Sequence, residues 1–502
     1  LTVMGRETKD LSIYELSKSV GTVLQDSDAQ FVGLSVAEDI AFAMENEARP
    51  RSEMVPIVQK HAATTGMQDF LAAVPFDLSG GQKQKVAIAG VLGSNVSVLI
   101  FDEPLAALDP QMGETAVELI DDLARDEERT ILIIEHRLED VLHRRVDRIV
   151  LMSEGRIVAD TTPDELLRSE LLQKNGIREP LYITAMKYAG CSLEGNKNLC
   201  DIHSLTFSEE NAAKLRTFFS ETTGPDPQPD GDEVIRFSHV SYSYEPGKRV
   251  VNDISFVVHR GERIAVVGRN GAGKSTVARL ICGVGRPEEG TIEIDGQNSK
   301  SMSIKEIGER VGYVMQNPNQ MIIKDTIKNE VEYALTIRNV PREELVRRAT
   351  NALNACSLFP MRNWPVDTVS YGQKKRITVA SILVLEPDVL ILDEPSAGQD
   401  YRSYTEIMKF IDVLNHEYGK TILFITHDMH LALENTDRAL VFSDSRLVAD
   451  ESVSAVLADD TLIREASLKQ TSLYTLAQKL SLSPEQVTRR FIEHERKVRV
   501  GE

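Results

Sequence analysis

Two parts of this 502-residue chain repeat each other in constant register, which constrains the fold more than any single motif does. Gly5-Arg6-Glu7 through Val20-Gly21-Thr22-Val23-Leu24-Gln25 matches Gly296-Gln297-Asn298 through Val311-Gly312-Tyr313-Val314-Met315-Gln316, an offset of 291 (316 − 25 = 291). Ser79 and Ser370, Asp102 and Asp393, and His136 and His427 stand at the same offset. Four blocks in one register over more than a hundred residues are not chance. The length agrees, because single hydrophobic cores stop growing near about 250 to 300 residues. Two similar domains are expected.

The register places the expected boundaries. A first unit covers 1–162, an insert and linker 163–232, a second unit 233–450 and a tail 451–502. The glycine-rich loop at Gly268 has its counterpart before Leu1 (268 − 291 = −23), so the first unit is expected to be N-terminally truncated and to lack that segment. The insert ends in the Pro/Gly/Asp-rich stretch from Thr222 to Asp232, which has linker composition. Ala212-Ala213-Lys214-Leu215 to Phe218-Phe219 reads as a helix within it, and the Leu- and charge-rich tail reads as helical and as a packing or dimer surface.

With 42% hydrophobic, 27% charged and 6% aromatic residues, the chain has the composition of a globular α/β protein. A net charge of −20 repels a phosphate backbone, so no nucleic-acid partner is expected. Four cysteines without a CxxC pair argue against a disulfide framework or a zinc site. The longest apolar run, Ser381 to Leu392, is broken by Glu386, Pro387 and Asp388, short of the ~20 residues that cross a bilayer. No secretory signal opens the chain, so a cytosolic location is expected.

Glu262 to Val267 reads as a buried strand running into Gly268-Arg269-Asn270-Gly271-Ala272-Gly273-Lys274-Ser275-Thr276 and then a helix. This is GxxxxGK[ST] in its strand–loop–helix setting, where backbone amides cradle phosphates at a helix N-terminus. Lys274 is expected on the β- and γ-phosphates of ATP and the Ser275 hydroxyl on Mg²⁺. A second element, Asp388-Val389-Leu390-Ile391-Leu392-Asp393-Glu394-Pro395, is an apolar strand ending in two acids, repeated as Val98 to Pro104 with Asp102 and Glu103. Asp393 is placed to hold Mg²⁺ and Glu394 to deprotonate the attacking water. A third element, Leu78-Ser79-Gly80-Gly81-Gln82, opens a helix with a Ser cap and exposed glycine amides, an anion site that serves some nucleotide other than one on its own unit's phosphate loop.

In that combination the chain resembles the ATP-binding cassette (ABC) ATPases over nearly all its length except the insert and tail. The resemblance implies α/β P-loop NTPase domains, each with a mostly parallel sheet core, an antiparallel β part and a helical signature subdomain. It further implies that the two units pair head to tail, so that Lys274, Ser275, Gln316, Asp393, Glu394 and His427 meet Ser79, Gly80, Gly81 and Gln82 around one ATP. Gln316 looks like the Q-loop residue near the metal and water, His427 like the switch histidine, and Asp109 and Asp400 like D-loop residues, with Gln399 replacing the usual leucine. Tyr244 looks like the aromatic that stacks on adenine, although a plain strand aromatic is the alternative, Tyr242 being nearby. The second composite site, with Gln25, Asp102, Glu103, His136, Ser370, Gly372 and Gln373, is degenerate because Tyr371 replaces a signature glycine, and unequal sites are expected.

Within the family, the tandem layout and the 25–30 and 316–320 loops are similar to the fused ATPases of energy-coupling factor (ECF) importers for cobalt and thiamine precursors. That implies an ATPase that energises uptake of a vitamin, a vitamin precursor or a transition-metal ion. It also implies partners, an integral membrane scaffold and a substrate-binding membrane protein, at the cytoplasmic face of the membrane. The competing reading is a soluble tandem ABC protein acting on ribosomes. Such factors usually carry a long charged helical pair as linker, unlike Gly190 to Asn196 with its Pro-rich continuation.

Overall fold

The computed structural model describes residues 1–500 except 95, 106–107, 109, 127–128, 197, 222–230 and 397–400. It divides into two units, Leu1–Leu166 and Leu167–Glu502.

The first unit carries a three-stranded parallel sheet in the order β1 (Val20–Val23), β2 (Val98–Asp102), β3 (Thr130–Ile134). Helices α1 (Val36–Asn46), α2 (Arg51–Thr64) and α3 (Gly80–Leu92) form a core with it, in which Ile40, Met44, Val86 and Ala89 pack with Val23, Leu99 and Phe101. A separate antiparallel hairpin joins β4 (Ile149–Ser153) to β5 (Arg156–Thr161).

Near its start the second unit carries helices α4 (Leu181–Tyr188) and α5 (Glu209–Ser220), after a single turn at Leu171–Lys174. An antiparallel sheet follows, in which β6 (Glu233–Glu245) lies between β7 (Lys248–His259) and β9 (Glu289–Ile294). The main sheet runs β10 (Val311–Val314), β11 (Val389–Asp393), β12 (Thr421–Ile425), β8 (Arg263–Gly268), β13 (Arg438–Ser443), β14 (Arg446–Ser452), parallel except for β14. Central parallel strands are covered on both faces, which is why β8, β11 and β12 are buried along their whole length. Alternate side chains feed opposite cores. Ile391, Leu423 and Ile425 join α6 (Lys274–Ile281) and the antiparallel sheet, whereas Leu390, Leu392, Ile422 and Phe424 join α7 (Ile327–Ile337), α8 (Arg342–Ala355) and α9 (Tyr371–Leu383). Each such Leu or Ile contributes about 1.5 to 3 kcal/mol by leaving water.

The two units differ at a pair of matching strands. Thr421-Ile422-Leu423-Phe424-Ile425 and Thr130-Ile131-Leu132-Ile133-Ile134 are nearly the same sequence, yet β12 is buried throughout while Leu132 is 48% and Ile134 53% exposed. In the second unit β8 lies between β12 and β13; among the described residues of the first unit no strand pairs with β3 on its far side or joins it to β4.

The middle insert and the tail, which the sequence reading set apart, pack together. Helices α12 (Ser472–Leu480) and α13 (Pro484–Val500) bury Leu473, Leu476, Leu480 and Phe491, while α4 and α5 bury Ile183, Met186, Leu215 and Phe219. Ser472 Oγ accepts from the Tyr182 amide at 3.3 Å, Lys479 donates to the His203 and Leu205 carbonyls at 2.8 and 3.0 Å, and Gln486 donates to Phe219 O at 2.8 Å. The rest of the second unit positions the site: α10 (Tyr401–His416) follows the acidic strand end, and α11 (Met429–Asn435) follows β12.

Candidate nucleotide site

The glycine-rich loop turns between β8 and α6 through Gly268, Gly271 and Gly273, with φ of +139°, +81° and +104°. At two of these positions any larger residue is also excluded by space. A Cβ on Gly268 would lie 2.1 Å from Phe442 O, and one on Gly273 would lie 2.6 Å from Val250 O. Lys274 begins α6, is buried, and its ammonium donates to the carbonyls of Gly268 at 2.5 Å and Arg269 at 3.0 Å. Arg269 is paired with Asp444, Asn270 is exposed, Ala272 is buried, and the Thr276 hydroxyl lies 3.2 Å from Tyr244 Oη. Arg279 also reaches Tyr244 Oη, at 3.3 Å, so the 53% exposed Tyr244 ring is anchored beside α6 by its hydroxyl.

Strand β11 delivers Asp393 and Glu394 to the same end of the sheet. Asp393 accepts from Tyr313 Oη at 2.8 Å and from the Ser275 side chain; burial outweighs both bonds and holds its carboxyl above the usual range. Glu394 has φ of +47°, its amide bonds Ile425 O at 2.8 Å, and its carboxylate takes Nδ1 of His427 at 2.7 Å and Thr426 Oγ1 at 3.4 Å. Burial works to raise the Glu394 pKa. The charge and hydrogen bond of His427, with Lys274 and Lys375, outweigh it, so the net direction is down. An ionised carboxylate only accepts, so the shared proton sits on His427 Nδ1. The result is a buried, charged base with a histidine locked onto one oxygen.

The structure thus brings Lys274, Ser275, Asp393, Glu394 and His427 together at the carboxyl ends of adjacent strands, where ligands bind in open α/β sheets. The Gln316 side chain is exposed, and its carbonyl accepts from the buried Lys375 ammonium at 2.8 Å. Lys375 also donates to Met315 O and Asp393 O, both at 2.8 Å, and so ties α9 to the Gln316 loop and to β11. Sequence reasoning missed Tyr313, Thr426 and Lys375. Lys375 stands where the first unit has Gln84, a departure inside an already noted repeat that signals a different local role.

Ser79 caps α3 and Ser370 caps α9 with the same box. Ser79 N bonds Gln82 Oε1 at 3.0 Å and Gln82 N bonds Ser79 Oγ at 3.4 Å; Ser370 and Gln373 repeat this at 2.9 and 3.3 Å. Gly80 and Gly81 form the first turn of α3, and a Cβ on Gly81 would meet the Met112 sulfur at 2.4 Å, so that flexible side chain would have to move. Tyr371 Oη comes within 3.5 Å of Gln316 O, next to Gly372.

In the first unit Glu103 repeats the backbone of Glu394, with φ of +44° and its amide on Ile134 O at 2.9 Å. Its surroundings differ. Gln25 Nε2 donates to Glu103 at 2.5 Å, His136 Nδ1 stands 3.9 Å from it, and the same nitrogen is closer to Glu135, at 3.3 Å. Burial, with the neighbouring Glu135 and Asp102 charges, raises the Glu103 pKa, opposite to Glu394. Asp109, Gln399 and Asp400 lie outside the described residues.

A strand-led phosphate loop, a strand-end acid pair and a serine-capped glycine helix define the class. The family described as ABC transporter matches residues 1–106 and 251–397, and one described as ATP-binding cassette cobalt transporter matches residues 169–242. An ABC transporter ATP-binding protein of Enterococcus faecalis (strain ATCC 700802 / V583) is 52% identical over 502 residues, 100% of this chain and 88% of the relative. One from Clostridium perfringens (strain 13 / Type A) is 49% identical over 500 residues, 99% of this chain and 88% of the relative. A solved structure titled cbiO1 from Clostridium perfringens, part of the ABC transporter complex cbiONQ, is 30% identical, covering 49% of this chain and 99% of that chain with a TM-score of 0.44. This chain belongs to the ABC transporter ATP-binding proteins. It carries two cassettes and, between them, a segment of the cobalt-transporter type. Among the described residues no helix is long and apolar enough to cross a membrane.

Proposed function

We propose that the chain hydrolyses ATP to drive an ECF-type importer for a vitamin, a vitamin precursor or a transition-metal ion, bound at the cytoplasmic face of the membrane to a scaffold and a substrate-binding membrane protein. The observation that carries the hydrolytic part is Glu394, buried, held ionised and bonded to His427 at 2.7 Å beside Lys274. The matched cobalt-transporter segment supports the transport part.

In this reading the amides from Gly268 to Ser275 and the Lys274 ammonium bind the β- and γ-phosphates, with Tyr244 beside the base. Ser275 and Asp393, an oxygen-only donor pair already hydrogen-bonded to each other, fit Mg²⁺, a cation that takes oxygen ligands and keeps several waters. When bound it would neutralise charge developing on the phosphates. Glu394 accepts the proton of the attacking water, and His427 holds that carboxylate in one orientation. Gln316, Ser79, Gly80, Gly81, Gln82 and Asp109 are assigned to the same nucleotide as part of the proposal; Gln25, Asp102, Glu103, His136, Ser370, Gly372 and Gln373 are assigned to the second, weaker site.

Glu394→Gln keeps the shape and removes the base, so turnover falls by about 10² to 10⁴ while ATP still binds. The transport reading is tested by purifying the full chain from detergent-solubilised membranes. Co-purifying integral membrane proteins are expected, and ribosomes in their place would overturn it.

A further inference from the structure

The hydrolytic reading leaves the insert without a role, yet the insert touches the loop that carries His427. Helix α11 starts one residue after His427's neighbour, Asp428, whose Oδ1 caps it by accepting from the amides of His430 at 2.9 Å and Leu431 at 3.2 Å. The other carboxylate oxygen of Asp428 takes Nη1 of Arg178 at 3.4 Å, and Nη2 of the same guanidinium reaches Glu434 in the last turn of α11 at 3.0 Å. Arg178 belongs to the insert, 250 residues before Asp428 in sequence. Its guanidinium also lies 5.5 Å from the Tyr404 ring, and Tyr404 Oη accepts from Asn435 of α11 at 2.7 Å.

The other end of α11 is held by the tail. Arg496 of α13 donates to Thr436 O at 2.8 Å and to Asp437 at 2.6 Å, and Asp437 also takes Nε of Arg263, at the start of β8, at 3.1 Å. Insert and tail therefore grip both ends of one short helix. The grip continues inward: the Asp428 amide donates to Thr426 Oγ1 at 3.0 Å, and that hydroxyl and His427 both bond the Glu394 carboxylate.

We propose that Arg178 is a positioning residue for hydrolysis: by bridging Asp428 and Glu434 it fixes α11, and so holds His427 and Thr426 in register with Glu394. The proposal rests on the hydrolytic reading above. A planar fork suits two carboxylates at once, and both are largely buried, with side chains 15% and 5% exposed, so the contacts are little screened. Loss of the fork leaves the phosphate loop untouched and loosens only the groups that orient the base.

The test measures steady-state ATP turnover, melting temperature and hydrogen exchange of the 426–435 peptide in the full chain. Arg178→Ala should lower kcat about tenfold with KM for ATP within about twofold, and should speed exchange of that peptide. Arg178→Lys should fall between, and Glu434→Gln, nearly isosteric, should reproduce the kcat loss; the Arg178→Ala/Glu434→Gln pair should be no worse than the stronger single change. If Arg178→Ala does not fold, Glu434→Gln decides. Wild-type kcat in Glu434→Gln, or a loss carried by KM alone, overturns the proposal. A Glu394→Gln protein that turns over ATP at the wild-type rate would instead remove the hydrolytic reading itself.

Discussion

Lys375 shows how much one residue can decide at this site. Its ammonium has no exposure and spends its three protons on three carbonyls, one at the end of β11 and two in the Gln316 loop. Burial lowers its pKa from 10.5 to about 8, against the pull of Asp393 and Glu394. The unfolded chain therefore binds more protons between pH 8 and 10.5, and this group's contribution to stability rises with pH through that window, by on the order of 3 kcal/mol in all. Lys375→Met should flatten the rise in urea midpoint between pH 8 and 10.5, and near pH 7 should cost about 1 to 3 kcal/mol for carbonyls left without a donor. An unchanged pH slope would show that the titration belongs to another group. The same residue marks the limit of sequence reading. Lys274, Ser275 and the acid pair were legible because a short motif fixes their backbone, whereas Tyr313, Thr426, Lys375 and Arg178 act across 18 to 250 residues of sequence, and no spacing rule encodes such contacts.

At the scale of elements, local chemistry was readable where it closes on itself. The Ser79 and Ser370 boxes form within four residues, so the helix starts followed from sequence; Ser370→Ala should cost about 0.5 to 2 kcal/mol in denaturant unfolding. The insert and tail were readable as helices but not as partners, since Ala212 to Phe219 and Leu473 to Phe491 show only that each has an apolar face to cover. At their junction His494 packs edge-on against Tyr188 at 4.6 Å and Phe218 at 5.1 Å. Burial, with the Arg490 charge, lowers its pKa below 6.5, so the folded form prefers the neutral ring. Stability from this group is present above pH 6.5 and is lost as pH falls through the lowered value. Protection factors in 484–498, with exchange rates corrected for their intrinsic pH dependence, should be lower at pH 5 than at pH 7, and His494→Gln should remove most of that difference.

For the whole molecule, duplication preserved backbone more faithfully than surroundings. Glu103 and Glu394 share a left-handed backbone and the same amide bond to the next strand, but one carboxyl is pushed up and the other down. Unequal contributions follow: Glu394→Gln should remove most ATP turnover and Glu103→Gln a minor share, and equal losses in steady-state rates would contradict this. The two-unit plan was legible because the register repeats, whereas the exposure of Leu132 and Ile134 was not legible from Thr130 to Ile134 alone, which read as the same buried strand as their counterpart. That exposure has a practical consequence. Among the described residues β3 has no strand on one side, and there Leu132 and Ile134 offer water oily side chains, the kind of edge to which an extended peptide adds. A strand supplied on that side, by whatever peptide, should slow hydrogen exchange of the 130–134 amides and cover Leu132 and Ile134.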